Sequence, residues 1–447
     1  MTYPTEPEAY EKAVHDTHNT RAAWFRDARF GLFIHYGLFA SYGMGEWAQF
    51  SECYRNSEWE KQAENFKPKP GCTDEWCRLA KDAGARYAVM TTRHHEGFSL
   101  WNSKTNPYNS MNACGRDLVR EFCESCRKYG LRIGLYSSLM DWHHPDGWRC
   151  MKDPAARKRF LAYIEALNTE LLTQYGKIDI LWYDMPWPQM SADEWDSVAR
   201  NGRLRALQPD ILINNRSRLP EDFYTPEESL NYPPNDGRRI IEEGADWEAC
   251  MTFNGFSWGY VDEEQAKGYA WSAPRIGMVL QKVTEAGGNL LINIGPSGDG
   301  SVPKDAVEPM HQIGLWLKDN GEAVYGRKAR CYEFPVKLNQ VTKSTVSLDH
   351  KTVYAFNCIW PKTGVMNFGG LKTPPRRITI LGTGREIPFA VHDYRLELHD
   401  LPETSPDPHI GVAVLKLEFD EPVRSASGAY YPQMTNGEDF SDGKGNP

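Results

Sequence analysis

The sequence predicts an α/β fold: a (β/α)8-like barrel over residues 1–330, a smaller antiparallel β-sandwich over 331–424, and a polar tail over 425–447. Three observations carry this reading. Short apolar runs rich in branched and aromatic residues stand at 30–37, 87–95, 131–138, 177–184, 211–216, 247–253 and 289–295. Segments of helical period separate them. Beyond about residue 330 the texture changes to strands with no helices between them.

Strands covered on both faces read as continuous apolar runs, and repeated strand–helix units imply a parallel sheet wrapped by helices. Seven or eight such units point to a barrel. A doubly wound sheet would carry a glycine-rich phosphate loop after an early strand. The nearest candidate, Gly295-Pro-Ser-Gly298-Asp-Gly300, lacks that spacing and reads as a turn.

The intervening helices have legible ends. In TDEWCRLAKDAG, Thr73 is the expected N-cap, Asp74 and Glu75 fill the first turn, Trp76, Leu79, Ala80 and Ala83 form one face, and Gly84 terminates it. The helix 117–129 ends at Gly130 in the same way. Its Leu118, Val119, Phe122, Cys123 and Cys126 recur at three and four residues, which buries both thiols of the C-x-x-C and favours packing over a metal role. In DILWYDMPWP the strand stops at Asp184, with Pro186 and Pro188 following, and a helix is expected from near Ser191. In the last third, TVSLDHKTVYAFNCIW, RRITILG, FAVHDYRLELHDL and GVAVLKLEFD read as antiparallel strands.

Composition narrows the function. With 51 Lys+Arg against 60 Asp+Glu the net charge is −9 and no basic run occurs, which disfavours nucleic acid. At 40% hydrophobic and 12% aromatic, the chain is neither disordered nor collagenous. No run of 18 apolar residues predicts a membrane span. The segment MTYPTEPEAYEKAVHDTHNT is acidic and polar where a signal peptide would be basic and then apolar, so the default expectation is cytoplasmic. The 15 tryptophans and 22 tyrosines supply core rings or flat surfaces for a sugar. Self-association stays open.

In a barrel the functional side chains lie at the C-terminal ends of the strands. The polar residues there are His35, then Arg93, His94, His95 and Glu96, then Tyr136 and Ser137, then Trp182 and Asp184, then Asn214, Asn215 and Arg216, with Glu248 near the start of its strand. Barrel metallohydrolases usually offer H-x-H on the first strand. Here one histidine stands there, and the adjacent His94 and His95 should diverge unless the strand has ended, so no metal and no cofactor are expected. Asp184, a lone carboxylate after an apolar strand, is either a helix cap or a nucleophile. Burial among Trp182, Tyr183 and Trp187 would raise its pKa, so ionisation needs donors such as the histidines or Arg216. An ionised carboxylate facing aromatic walls suits glycoside cleavage, which needs a second carboxyl group.

WFRDARFGLFIHYG, GARYAVMTTRHHEGFSLWNSKTNPYNS, GLYSSLMDWHHPDG, DILWYD, WEACMTFNGFSWGY and GGNLLINIGPSGDGSVP resemble, in order and spacing, the signatures of glycoside hydrolase family 29, the retaining α-L-fucosidases. The resemblance covers residues 22–330, and the sandwich is similar to the family's second domain. It implies hydrolysis of terminal α-L-fucose from glycans or glycoconjugates by double displacement, without metal or cofactor. Asp184 matches the nucleophile and Glu248, in the W-E-x-C motif, the acid/base, with Glu46, Glu242 and Glu243 as rivals. His35, His94, His95, Tyr136, Trp182 and Arg216 match residues around the fucose, and Glu46 and Trp47 residues lining the pocket. Glu96 fits a capping or supporting role. Tyr36 and Met185 depart from the family's usual residues and alter the rim. Three alternatives stand beside this reading: an exo-glycosidase for α-L-galactosides or β-D-arabinosides, a catalytically silent carbohydrate-binding barrel, and a metal-dependent barrel hydrolase.

Overall fold

The computed structural model describes residues 3–4, 6–184, 190–230, 245–330, 336, 338–392 and 395–424. The expected tail at 425–447 lies outside them. The chain divides into two compact units, one of residues 1–272 and 289–311, the other of 273–288 and 312–447.

The first unit is built on seven parallel strands: β1 (Phe30–Ile34), β2 (Tyr87–Arg93), β3 (Arg132–Ser138), β4 (Ile180–Asp184), β5 (Leu212–Ile213), β6 (Glu248–Thr252) and β7 (Asn289–Ile294). Their order, β5-β4-β3-β2-β1-β7-β6, follows the chain once β7 returns to β1. Each run is buried along nearly its whole length, as expected of strands with no solvent face. The ring is completed by residues 222–228, which the sequence reading did not recognise as a stave. Phe223 bridges Asn214 at the end of β5, while Tyr224 and Glu227 bridge Trp247 and Cys250 along β6, all in parallel. Backbone bonds from Asp222 N to Ile213 O at 2.9 Å and from Glu248 N to Tyr224 O at 2.8 Å stitch both edges. The (β/α)8-like barrel is therefore closed, with an irregular eighth stave.

That stave is held by charge. The Asp222 carboxylate meets Arg21 at 2.7 Å, Arg205 at 2.7 Å and His18 at 3.2 Å. It also accepts the Ile213 amide at 2.9 Å. These cations hold it well below the usual carboxylate range against the opposing effect of burial. His18, on the helix Pro7–Arg21, reaches Asp246 as well, at 2.9 Å.

The helices follow the predicted signals with two shifts. Leu118–Tyr129 is capped by Asp117, which accepts from Arg120 N, and stops at Gly130 in the left-handed region, φ 67°. Cys123 and Cys126 are buried on its inner face. The helix before β2 starts at Cys72 after Gly71 at φ 77°, so Thr73 is not the cap; its hydroxyl turns inward, 3.4 Å from Ser125 Oγ. The helix after Asp184 begins at Ser197, not near Ser191, because Asp193–Asp196 form turns.

The second unit holds two antiparallel sheets, of order β10-β13-β12 and β11-β14-β9-β8. Their strands are β8 (Thr342–Val346), β9 (Thr352–Asn357), β10 (Met366–Gly369), β11 (Arg377–Ile380), β12 (Phe389–His392), β13 (Arg395–Leu398) and β14 (Ala413–Glu418). Val353, Phe368, Ile378, Leu398, Leu415 and Leu417 fill the shared core of this sandwich. Residues 312–330 group with it because Trp316 Nε1 donates to Val412 O at 2.8 Å and Thr345 Oγ1 to Ala323 O at 2.8 Å. Among the described residues, no helix is long and apolar enough to cross a membrane.

The His18 brace has a signed pH dependence. Burial opposes its charge, but the Asp222 and Asp246 carboxylates outweigh burial and raise its pKa above the ordinary 6.5. Its contribution is present in full below pH 6.5 and disappears as pH rises through the folded value. His18→Ala should cost on the order of 1–3 kcal/mol near pH 6 and less near pH 9, measured by urea unfolding at each pH. An equal cost at both would contradict the charged brace.

Candidate active site

The strand ends converge on a cavity of about 210 Å³ lined by Phe33, His35, Trp47, His94, His95, Tyr136, Trp182, Asp184, Asn215, Arg216, Thr225, Glu227, Cys250 and Trp258. Eight of the expected residues, those other than Glu46 and Glu248, are there.

Asp184 is the last residue of β4. Arg216 Nη1 donates to its Oδ1 at 2.8 Å, Tyr136 OH donates to its Oδ2 at 2.8 Å, and His95 Nε2 lies 3.5 Å from Oδ2. Burial alone would raise its pKa. Arg216, His95 and the Tyr136 hydroxyl overcome that and lower it to about 2, so the group is an anion at any physiological pH. Arg216 follows β5 in a short helical turn, and its guanidinium lies 4.7 Å over the Trp182 ring, on β4. Its other nitrogen, Nη2, donates to Glu227 Oε2 at 2.9 Å, and Trp258 Nε1 donates to Glu227 Oε1 at 3.1 Å. One planar fork thus joins two carboxylates across the cavity floor.

The histidines are neutral. Burial lowers His35 to about 3 and His95 to about 4, and holds His94 well below the ordinary range. Asn293 Nδ2 donates to Trp258 O at 2.7 Å, so its Oδ1 faces His35 Nδ1 at 2.7 Å and that nitrogen carries the proton. His35 Nε2 is left as an acceptor, suited to a sugar hydroxyl. His94 stacks on Tyr136 with rings 9° from parallel. Because β2 ends at Arg93, His94 and His95 do not diverge: their donor atoms and one of Asp184 lie within 4.8 Å of one another. That trio could ligate a transition metal, but Arg216, at 2.8 Å from the same carboxylate, opposes a cation there.

Two expected site residues lie elsewhere. Glu248 is the first residue of β6, at the opposite end of the strand from the cavity, with no exposure. It accepts from the Tyr87 hydroxyl and from Trp182 Nε1 at 3.0 Å, sealed behind the Trp182 indole. It does not line the cavity, so its packing favours a supporting role over the expected acid/base one. Glu46 is also buried and spends Oε2 on Ser257 Oγ at 2.6 Å and Gly259 N at 2.7 Å; it shapes the loop beside Trp47 without lining the cavity. Glu96 accepts Leu38 N at 2.8 Å and Trp59 Nε1 at 2.8 Å. Glu242, Glu243 and Met185 lie outside the described residues.

Glu227 was missed. The signal was present: Phe223, Thr225 and Glu227 alternate along the eighth stave and all face inward, the first in the core and the other two at the cavity.

The α-L-fucosidase family matches residues 2–322. The mouse tissue α-L-fucosidase is 30% identical over 89% of this chain and 90% of its own length, and the human tissue enzyme 29% over 86% of each. Among solved structures, α-L-fucosidase isoenzyme 1 from Paenibacillus thiaminolyticus superposes with a TM-score of 0.80 at 29% identity, covering 91% of this chain and 100% of its own. A trapped covalent intermediate of a family 29 α-L-fucosidase from Bacteroides thetaiotaomicron, in complex with 2-fluoro-fucosyl fluoride, gives 0.77 at 25%, covering 95% and 98%.

Burial raises Glu248 from the ordinary 4.5 to about 7. Between those values the folded chain binds more protons than the unfolded one, so stability falls as pH rises across the window, by on the order of 3 kcal/mol. Glu96, raised to about 7 by burial, adds a parallel slope. Glu248→Gln should therefore shrink, without abolishing, the loss of unfolding free energy between pH 5 and pH 8. A slope identical to wild type would place Glu248 in a wetter setting than its packing indicates.

Proposed function

The chain belongs to the α-L-fucosidase family, glycoside hydrolase family 29, and on that premise we propose that Asp184 is the nucleophile and Glu227 the acid/base of its reaction. The protein is an exo-acting, retaining α-L-fucosidase. The observation that carries the residue assignment is the Arg216 fork, with Nη1 at 2.8 Å from Asp184 and Nη2 at 2.9 Å from Glu227. Two carboxylates bound to neighbouring nitrogens of one guanidinium sit close together, as a retaining pair about 5–5.5 Å apart requires.

In the first step the Asp184 carboxylate attacks the anomeric carbon of a terminal fucosyl residue. The bond to the leaving oxygen breaks, and Glu227 gives that oxygen its proton. Esterification removes the charge of Asp184, and the Glu227 carboxylate left by the first proton transfer serves as the base of the second step. Glu227 takes a proton from water, the water oxygen bonds to the anomeric carbon, and Asp184 leaves as the carboxylate. Configuration is retained through two inversions.

The neutral histidines hold the vicinal hydroxyls, with His35 Nε2 accepting. Phe33 and Trp258, whose rings lie 5.9 Å apart, offer a wall to the 6-deoxy methyl group, which has nothing to hydrogen-bond. Trp182 carries the Arg216 fork on its face, and Glu248 with Tyr87 fixes the plane of that indole. Fucosylated oligosaccharides or glycoconjugates are the substrates this arrangement fits.

Asp184→Ala should lose at least about 10³-fold in kcat on an aryl α-L-fucoside. Azide should restore turnover with release of the β-fucosyl azide; wild-type-like activity would refute the nucleophile. Glu227→Gln should lower kcat/KM by about 10²–10⁴ on glycans, whose leaving groups are poor, and far less on aryl fucosides with good ones. An equal loss across leaving groups would overturn Glu227, as would the same signature arising instead from Glu242→Gln, Glu243→Gln or Glu248→Gln.

A further inference from the structure

A row of aromatic rings runs from the cavity to the surface. Trp47, in the lining, meets Trp142 edge to face at 5.2 Å, and Trp142 lies 5.4 Å from His95. Phe50 stacks on Trp142 at 5.5 Å and 29°, and Trp148 stacks on Phe50 at 6.1 Å and 25°. Trp142 is buried, but Phe50 and Trp148 are 49% and 40% exposed.

The row is braced rather than loose. Asn56 Nδ2 donates to Trp142 O at 3.0 Å and Gln49 Nε2 to Asn56 Oδ1 at 3.0 Å, tying the loop after β1 to the loop after β3. Trp142 N donates to His95 O at 2.7 Å, and Asp141 Oδ1 accepts the amides of His143 and His144 at 2.9 and 2.8 Å. Single exposed aromatics are ordinary, whereas a stacked, contiguous and rigid row that starts at a sugar cavity is not.

A cavity of about 210 Å³ accommodates one monosaccharide, so whatever bears that residue must leave over the rim. We propose that Phe50 and Trp148, backed by Trp142, form an aglycone subsite that takes a pyranose ring of the fucosyl-bearing glycan, its C–H face stacked on theirs. This rests on the fucosidase reading of the cavity. The occupant follows from continuity with the cavity and from the flat, apolar faces presented, which match the apolar C–H face of a pyranose.

The test compares two substrates in Phe50→Ala and Trp148→Ala: α-L-fucosyl fluoride, whose leaving group is too small to reach the row, and a fucosylated oligosaccharide. The ratio of kcat/KM on the oligosaccharide to that on the fluoride should fall about 3- to 10-fold in each variant, mostly through KM, as loss of one ring contact implies. Circular dichroism checks the fold of both variants. A ratio within twofold of wild type would overturn the subsite. So would an unchanged ratio with a loss of self-association in sedimentation, which would assign the rings to a second copy of the chain. Wild-type hydrolysis of the fluoride tests the fucosidase reading separately, so failure of that reading and failure of the subsite give different results.

Discussion

The site depends on one guanidinium. A carboxylate buried among Tyr136, Trp182 and His95 would ordinarily take up a proton, and a protonated Asp184 is no nucleophile. Arg216 prevents this with a direct bond of 2.8 Å, and its position is fixed three ways. Its plane lies on Trp182, its Nε donates to Thr225 Oγ1 at 3.0 Å, and its remaining nitrogen holds Glu227. The supports come from two staves, Trp182 from β4 and Thr225 and Glu227 from the eighth, so the fork depends on the stave that closes the barrel. This gives the ion network around Asp222 a functional consequence: it pins the stave that supplies both Thr225 and Glu227.

The groups that are charged and the groups that are not divide the work. His35, His94 and His95 are kept neutral by burial, which leaves them free to exchange hydrogen bonds with hydroxyls without adding positive charge beside Arg216. Negative charge resides on Asp184, which Arg216 holds ionised. Outside this centre the surface changes character, and the Trp142, Phe50 and Trp148 rings contribute contact area without charge. Chemistry and aglycone preference thus reside in separate groups, and the outer rings can vary without disturbing the fork.

Much of this was legible in the sequence because it rests on local pattern. Strands buried on both faces must be continuous apolar runs, and that alone located β1 to β4, β6 and β7. Asp184, His35, Tyr136 and Trp182 follow because they stand at or near the ends of such runs. The eighth stave was not legible, since LPEDFYTPEESL is stabilised by Asp222 and by backbone bonds to its neighbours rather than by apolar content. Glu248 misled for a related reason. A glutamate beside an apolar run is equally visible at either end of the strand, and only the start of β6 at that residue places it away from the cavity. Thr73 shows the same limit on a smaller scale: composition favours it as a cap, but Gly71 in the left-handed region takes that place two residues earlier, the helix opens at Cys72, and the Thr73 hydroxyl turns into the core.

The central claim, that Arg216 holds Asp184 as the attacking anion of a carboxylate pair, is tested most directly by trapping the covalent intermediate. The wild-type protein incubated with 2-deoxy-2-fluoro-α-L-fucosyl fluoride and digested for peptide mass spectrometry should carry one fluorofucosyl group, on Asp184, and labelling should slow severely in Arg216→Met. A label on any other carboxylate, or wild-type labelling rates in Arg216→Met, would contradict the account.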